Sequence, residues 1–162
     1  MRKTRLYLDT SPIIMLGPDQ DPIRQAITKE FFRIVAERTD EYELVISPMT
    51  IGELDDGTED QKTASDLILT SFHYTELPQS KEAENLAWTY VREGVLTQTH
   101  IKDLMHVAYT TYFECDYVIT WNMRHLANER TVSRVNAVNS TGNFEKIYIA
   151  TPEFLIGGKI YG

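Results

Sequence analysis

Apolar and polar positions along this chain alternate between two rhythms. Short apolar runs at residues 5–9, Tyr42 to Ile46, Phe72 to Leu77, Asp116 to Thr120 and Ile147 to Ala150 read as five strands. Between them, apolar residues recur at helical spacing. Residues 23–38 place Ile23, Ile27, Phe31, Ile34 and Val35 close to one face. Residues 61–71, 80–93 and about 101–113 continue the pattern, with Ala83, Leu86, Ala87 and Tyr90 on one side of the second. Ser47-Pro48 is a cap and first-turn pair, so a helix carrying Glu53 opens there. A further helix is expected from about residue 122, its far half near Ser140-Thr141-Gly142-Asn143 being loop, and one more turn at Thr151 to Leu155. Gly17-Pro18-Asp19-Gln20-Asp21-Pro22 is turn chemistry.

Strands that alternate with helices build βαβ units. The expectation is an α/β fold: a three-layer αβα sandwich around a five-stranded, mainly parallel sheet, as a single domain over residues 1–162. Right-handed crossovers bring the carboxyl ends of parallel strands to one rim, where open α/β sheets bind ligands.

Four positions reach that rim. Asp9 closes the first strand in Leu6-Tyr7-Leu8-Asp9-Thr10-Ser11-Pro12, with a proline behind it suited to a first helical turn. Glu53 lies in the first turns after the second strand, and Asp103 in the first turn of the helix that feeds the fourth. Asn122 follows the fourth strand by two residues. Gathered carboxylates repel one another and raise each other's pKa, which a hard cation relieves. Mg²⁺ or Mn²⁺ takes oxygen ligands, and such an ion activates water and stabilises a leaving oxygen. Taken singly, each acid has a plainer role: Asp9 as a helix cap, Glu53 as an acid favoured by a helix dipole, and Asp103 as a cap or salt-bridge partner.

Composition narrows the choice. With 162 residues, 42% of them hydrophobic, the chain can bury a core of ordinary size. No run approaches a membrane span, and the basic start Met1-Arg2-Lys3-Thr4-Arg5 leads into too few apolar residues for a secretory signal. Cys115 is the single cysteine, so a reducing, cytoplasmic setting is expected. The net charge of −8 argues against a broad nucleic-acid footprint, while leaving room for an enzyme whose acids hold cations.

The motifs resemble those of the PIN domain family, to which the VapC-type toxin ribonucleases belong. Leu8-Asp9-Thr10-Ser11 resembles its opening motif, and Ser47-Pro48-Met49-Thr50-Ile51-Gly52-Glu53-Leu54 its second. Ile101 to Ala108 resembles the third, Cys115 to Leu126 the fourth, and Ala150 to Leu155 the closing segment. The resemblance implies a metal-dependent ribonuclease cutting RNA phosphodiester bonds with Mg²⁺ or Mn²⁺, the toxin of a type II toxin–antitoxin pair. It implies catalytic positions Asp9, Glu53, Asp103 and Asn122, with Asp9, Glu53 and Asp103 as metal ligands. RNA as substrate, an antitoxin as partner and a homodimer follow by the same implication.

Asn122 stands where many members carry a further Asp, and His125 replaces the acid slightly beyond. An uncharged amide implies one tight metal site and a weak second one. It also keeps open a degenerate PIN domain that binds RNA or protein without cutting. Asp116 begins its strand and is expected at the opposite rim. A phosphatase with Asp9 as nucleophile would want a second acid two residues on, where Ser11 stands.

Other residues carry two readings each. His106, three after Asp103, is either a core histidine or part of an acid-x-x-His metal pair. Trp121 and Tyr117 either pack the interior or stack on bases. Arg124, Arg130 and Arg134 form a basic stretch suited to RNA phosphate contact, or a solvated helix face. Residues 64–74 face the core, a second copy or an antitoxin segment.

Overall fold

A computed structural model describes residues 2–162. Its strands are β1 (Thr4–Leu8), β2 (Tyr42–Ile46), β3 (Thr75–Glu76), β4 (Tyr117–Ile119), β5 (Tyr148–Ala150) and β6 (Ile160–Tyr161). They form one sheet in the order β3-β2-β1-β4-β5-β6. The first five are parallel, and β6 joins β5 antiparallel. The helices are α1 (Thr10–Ile14), α2 (Pro22–Glu37), α3 (Pro48–Asp55), α4 (Glu59–Leu69), α5 (Lys81–Arg92), α6 (Ile101–Tyr112) and α7 (Glu129–Thr141). Short 3-10 turns cover Gln98–His100 and Pro152–Ile156.

Period-two alternation explains the three layers. Tyr7, Val45, Val118 and Ile149 point to one face and pack with Ala83, Leu86 and Tyr90 of α5, Val107 and Ala108 of α6, and Val132 and Val135 of α7. Leu6, Leu8, Leu44, Ile46, Ile119 and Ala150 point the other way, onto Ile13 of α1, Phe31 and Val35 of α2 and Leu54 of α3. The fold is therefore the expected PIN-like αβα sandwich, with six strands rather than five. Strand β6 is two residues long and follows Gly157, which turns the chain in the left-handed region at φ 95°. So short a strand has no readable alternation.

Two other boundaries shift. Only Thr75–Glu76 joins the ladder where a strand over residues 72–77 was expected. Phe72 instead packs against Phe32 of α2, their ring centroids 4.7 Å apart. The helix expected from about residue 122 starts at Glu129, capped by the Asn128 side chain on the Thr131 amide at 2.8 Å. Residues 122–128 form a hydrogen-bonded loop: Asn122 Oδ1 accepts from the His125 amide at 3.1 Å, and Asn128 donates to the carbonyls of Met123 and Arg124. At its far end α7 persists to Thr141, where loop was expected near residue 140. Buried Asn139 holds it, bonded to Tyr90 Oη at 2.6 Å and to Thr111.

Among the described residues no helix is long and apolar enough to cross a membrane. Asp116 lies at the amino rim, away from the candidate site. It accepts the Arg5 backbone N–H at 2.8 Å and pairs with Arg2 at 2.7 Å. Arg5 also binds Glu43 at 2.7 Å and the Phe113 carbonyl, tying β1, β2 and the end of α6 together there.

Candidate metal centre

The register of the sheet places the first acid. Leu8 pairs with Ile119, and the ladder continues one step past each strand: the Asp9 amide donates to Ile119 O, the Thr120 amide to Ala150 O. Asp9 and Thr120 thus sit side by side on the carboxyl rim. Asp9 precedes α1, yet its side chain makes no capping bond. The buried carboxylate instead accepts from Thr120 Oγ1 at 2.6 Å and Ser11 Oγ at 3.0 Å, and it lies 3.2 Å from His106 Nε2. The cap reading of Asp9 does not hold.

Glu53 arrives on α3. That helix starts where Ser47 Oγ accepts the Met49 amide at 3.1 Å, with Pro48 in the first turn. Glu53 Oε1 accepts from Thr10 Oγ1 at 2.9 Å and meets His106 Nε2 in a very short contact. Asp9, Glu53 and His106 each bring one ligand atom to a common place, all within 4.8 Å of one another. Two carboxylates and an imidazole form a donor set suited to a divalent ion, so the residues present fit the expected metal.

His106 is fully buried and contacts polar groups on both sides. Its Nδ1 lies 2.7 Å from Tyr7 Oη, which in turn is 2.6 Å from Ser47 Oγ. Burial pulls the imidazole pKa down, but Tyr7, Asp9 and Glu53 outweigh it and hold the value well above the ordinary one. Glu53 responds in the opposite sense: burial pushes its pKa up, and the hydrogen bond and charge of His106 bring it below the usual range.

Asp103 stands apart from the three-donor cluster. Its Oδ2 accepts from Asn122 Nδ2 at 3.3 Å and lies 3.8 Å from His100 Nδ1. Burial first, and the Asp9 charge second, raise its pKa. Asp103 and Asn122 thus pair beside the cluster rather than within it. Both ends of the Asn122 amide are engaged, one on Asp103 and one on the loop turn. The His100 and His125 rings lie 4.0 Å apart, tilted by 34°.

Arg124, Arg130 and Arg134 are exposed and line a groove of about 590 Å³ together with His100 and His125. Arg134 is braced by the Gly94 carbonyl at 3.2 Å. Trp121 is buried, its indole N–H donating to Thr28 Oγ1 at 2.9 Å, so it has no face for a base. Tyr117 stacks between Tyr148 and Phe154. In the 64–74 segment Ile68, Leu69 and Phe72 pack on the α1–α3 side of the core while Leu67 is exposed.

Sequence reasoning passed over Thr120, Ser11 and Tyr7. The first two are hydroxyls flanking rim positions, a signal present in Ile119-Thr120-Trp121 and Asp9-Thr10-Ser11. Tyr7 reads as an ordinary strand aromatic, and only the tertiary contact reveals its role.

No protein-family model matches the chain. The search of curated proteins likewise returns no match. Among solved structures, the chain is similar in shape to VapBC2 from Rickettsia felis, determined bound to a DNA fragment from its promoter. The TM-score is 0.59 at 10% identity, covering 91% of this chain and 98% of that one. The likeness is one of fold.

Proposed function

We propose that the chain is a metal-dependent ribonuclease that hydrolyses RNA phosphodiester bonds, acting as the toxin of a type II toxin–antitoxin pair. One observation carries the enzymatic reading: Asp9 and Glu53, from separate βα junctions, converge with His106 to within 4.8 Å on the carboxyl rim. Asp9 and Glu53 would hold Mg²⁺ or Mn²⁺, with Asp103 as the nearby third acid. Bound there, the ion would acidify a water and stabilise charge on the phosphodiester oxygens.

The chain's own groups support this chemistry. Thr120 and Ser11 fix the orientation of the Asp9 carboxylate. Asp103, with its raised pKa, is the carboxyl best suited to hold a proton beside the cluster. Asn122 keeps Asp103 in place. The groove of Arg124, Arg130 and Arg134 adjoins His100 and suits the phosphates of a single strand. The toxin role, an antitoxin partner and a homodimer rest on the motif resemblance and on the fold shared with VapBC2.

A non-catalytic PIN domain is the second reading, favoured by Asn122 in place of an acid. One assay separates the two. Purified protein is incubated with mixed single-stranded RNA in Mn²⁺, in Mg²⁺ and in chelator, beside Asp9→Asn. Cleavage should require metal and fall by more than about 100-fold in the variant, as expected when a ligand to a catalytic ion is lost. Cleavage untouched by chelator or by Asp9→Asn would sink the enzyme reading. Growth arrest on expression of the wild type but not of Asp9→Asn tests the toxin role.

A further inference from the structure

The structure assigns to His106 the role of a nitrogen ligand, through Nε2, making the centre a mixed nitrogen–oxygen site that favours Mn²⁺-like transition ions over Mg²⁺. This inference rests on the metal-dependent reading above and adds a ligand to it.

Three observations lead there. The first is spacing. His106 Nε2 stands 3.2 Å from Asp9 Oδ1. Neighbouring donors of an octahedral ion with bonds of about 2.1 Å are roughly 3 Å apart, so this edge is already of the right length. Glu53, whose side chain is partly exposed, is the donor with room to adjust.

The second is orientation. Metal-bound histidines almost always engage their other ring nitrogen with a hydrogen-bonding group, which fixes the ring and its tautomer. Here Nδ1 meets Tyr7 Oη at 2.7 Å, and Tyr7 Oη meets Ser47 Oγ at 2.6 Å. With an ion on Nε2 in place of its proton, Nδ1–H would donate to Tyr7 and Tyr7 to Ser47, so the ring is held with Nε2 toward the acids. Tyr7 lies on the strand that delivers Asp9, and Ser47 caps the helix that delivers Glu53. The two elements that bring the carboxylates therefore also aim the imidazole. The Tyr7 ring packs edge-on to it, with centroids 5.6 Å apart, and this limits turning.

The third is donor chemistry. Mg²⁺ strongly prefers oxygen and gives up water reluctantly; imidazole suits Zn²⁺, Fe²⁺ and Ni²⁺ best, and Mn²⁺, though itself oxygen-loving, accepts it more readily than Mg²⁺ does. Replacing an oxygen by His106 Nε2 costs Mg²⁺ more than Mn²⁺. The rival role for His106 is a purely internal one, bridging two carboxylates by hydrogen bonds and leaving the ion to oxygen ligands alone.

Pulsed EPR on the Mn²⁺-loaded protein distinguishes the two. A coordinated imidazole gives electron spin-echo modulation from ¹⁴N, which changes on labelling histidine with ¹⁵N. We expect that modulation in the wild type, in His100→Gln and in His125→Gln, and its loss in His106→Gln. Mn²⁺ affinity should fall on the order of 10- to 100-fold in His106→Gln, with a smaller change for Mg²⁺. Mn²⁺ bound to wild type without nitrogen modulation, or a modulation lost in His100→Gln or His125→Gln instead, overturns the assignment and leaves the metal-dependent reading standing. The wild-type spectrum decides this even where the variant folds poorly. Failure of the wild type to bind Mn²⁺ at all, or equal binding by Asp9→Asn, overturns the underlying reading as well.

Discussion

At the scale of single residues, buried His106 and half-buried Glu53 form an ion pair whose protonation links the site to stability. The folded-state pKa of His106 is raised above its ordinary 6.5. Its contribution to metal-free stability is therefore complete below that ordinary value and is lost as pH rises through the raised one. Glu53 is lowered from 4.5, so its contribution is present above that value and is lost as pH falls through the depressed one. In chelator, thermal unfolding followed across pH should show wild type losing stability relative to His106→Gln as the pH climbs above neutral. Parallel curves would mean the pair is not ionised as described. Asn122 offers a second test at this scale. Asn122→Asp places a second carboxylate against Asp103, so divalent binding by calorimetry should tighten while the metal-free protein loses thermal stability. The acids themselves were legible in the sequence because each ends a strand or opens a helix. His106 left its two readings open, since spacing alone gives no sign of which groups meet a buried ring.

Among the secondary elements, α3 has the densest set of duties. Ser47 caps it, reaches Tyr7 and is fully buried. Thr50 of the same helix donates to the Leu8 carbonyl at 3.1 Å, pinning the helix to β1 one residue before Asp9. Ser47→Ala should cost roughly 1–2 kcal/mol in urea unfolding, the ordinary loss for an N-cap with a buried partner left short of a bond. It should also weaken Mn²⁺ binding, because the Tyr7–His106 chain loses its anchor. An unchanged midpoint would argue that water replaces the hydroxyl. Strand β2 and the cap at Ser47-Pro48 were read correctly because apolar run, cap and proline agree. The start of α7 lies several residues past the expected 122, because Asn122 turns a hydrogen-bonded loop and Asn128 is the cap. Only the hydrogen bonds of the intervening loop separate them. Strand β6 had too few residues to show any rhythm.

For the whole molecule, charge is distributed unevenly around the rim. The chain carries −8 overall, yet the groove beside Asp103 is lined by three arginines and two histidines. The groove on the other side of Glu53 is lined by Asp19 and Asp60. A polyanion approaching the cluster should therefore enter from the arginine side. Arg130→Glu with Arg134→Glu should weaken binding of single-stranded RNA and flatten its dependence on salt, measured by anisotropy over a salt series. A salt slope identical to wild type would place the RNA elsewhere. The order of the sheet has a further consequence, in the timing of assembly. Central β1 pairs with β2 and with β4, partners that lie far apart along the chain. The three donors at positions 9, 53 and 106 likewise belong to β1's end, α3 and α6. During synthesis, β1 and α3 emerge first and can pair early, but the cluster stays incomplete until α6 has left the ribosome and docked. A chain stalled before that point holds the two acids without His106. The donor cluster is thus a late product of folding, closed by long-range contacts from α6 back to β1 and α3.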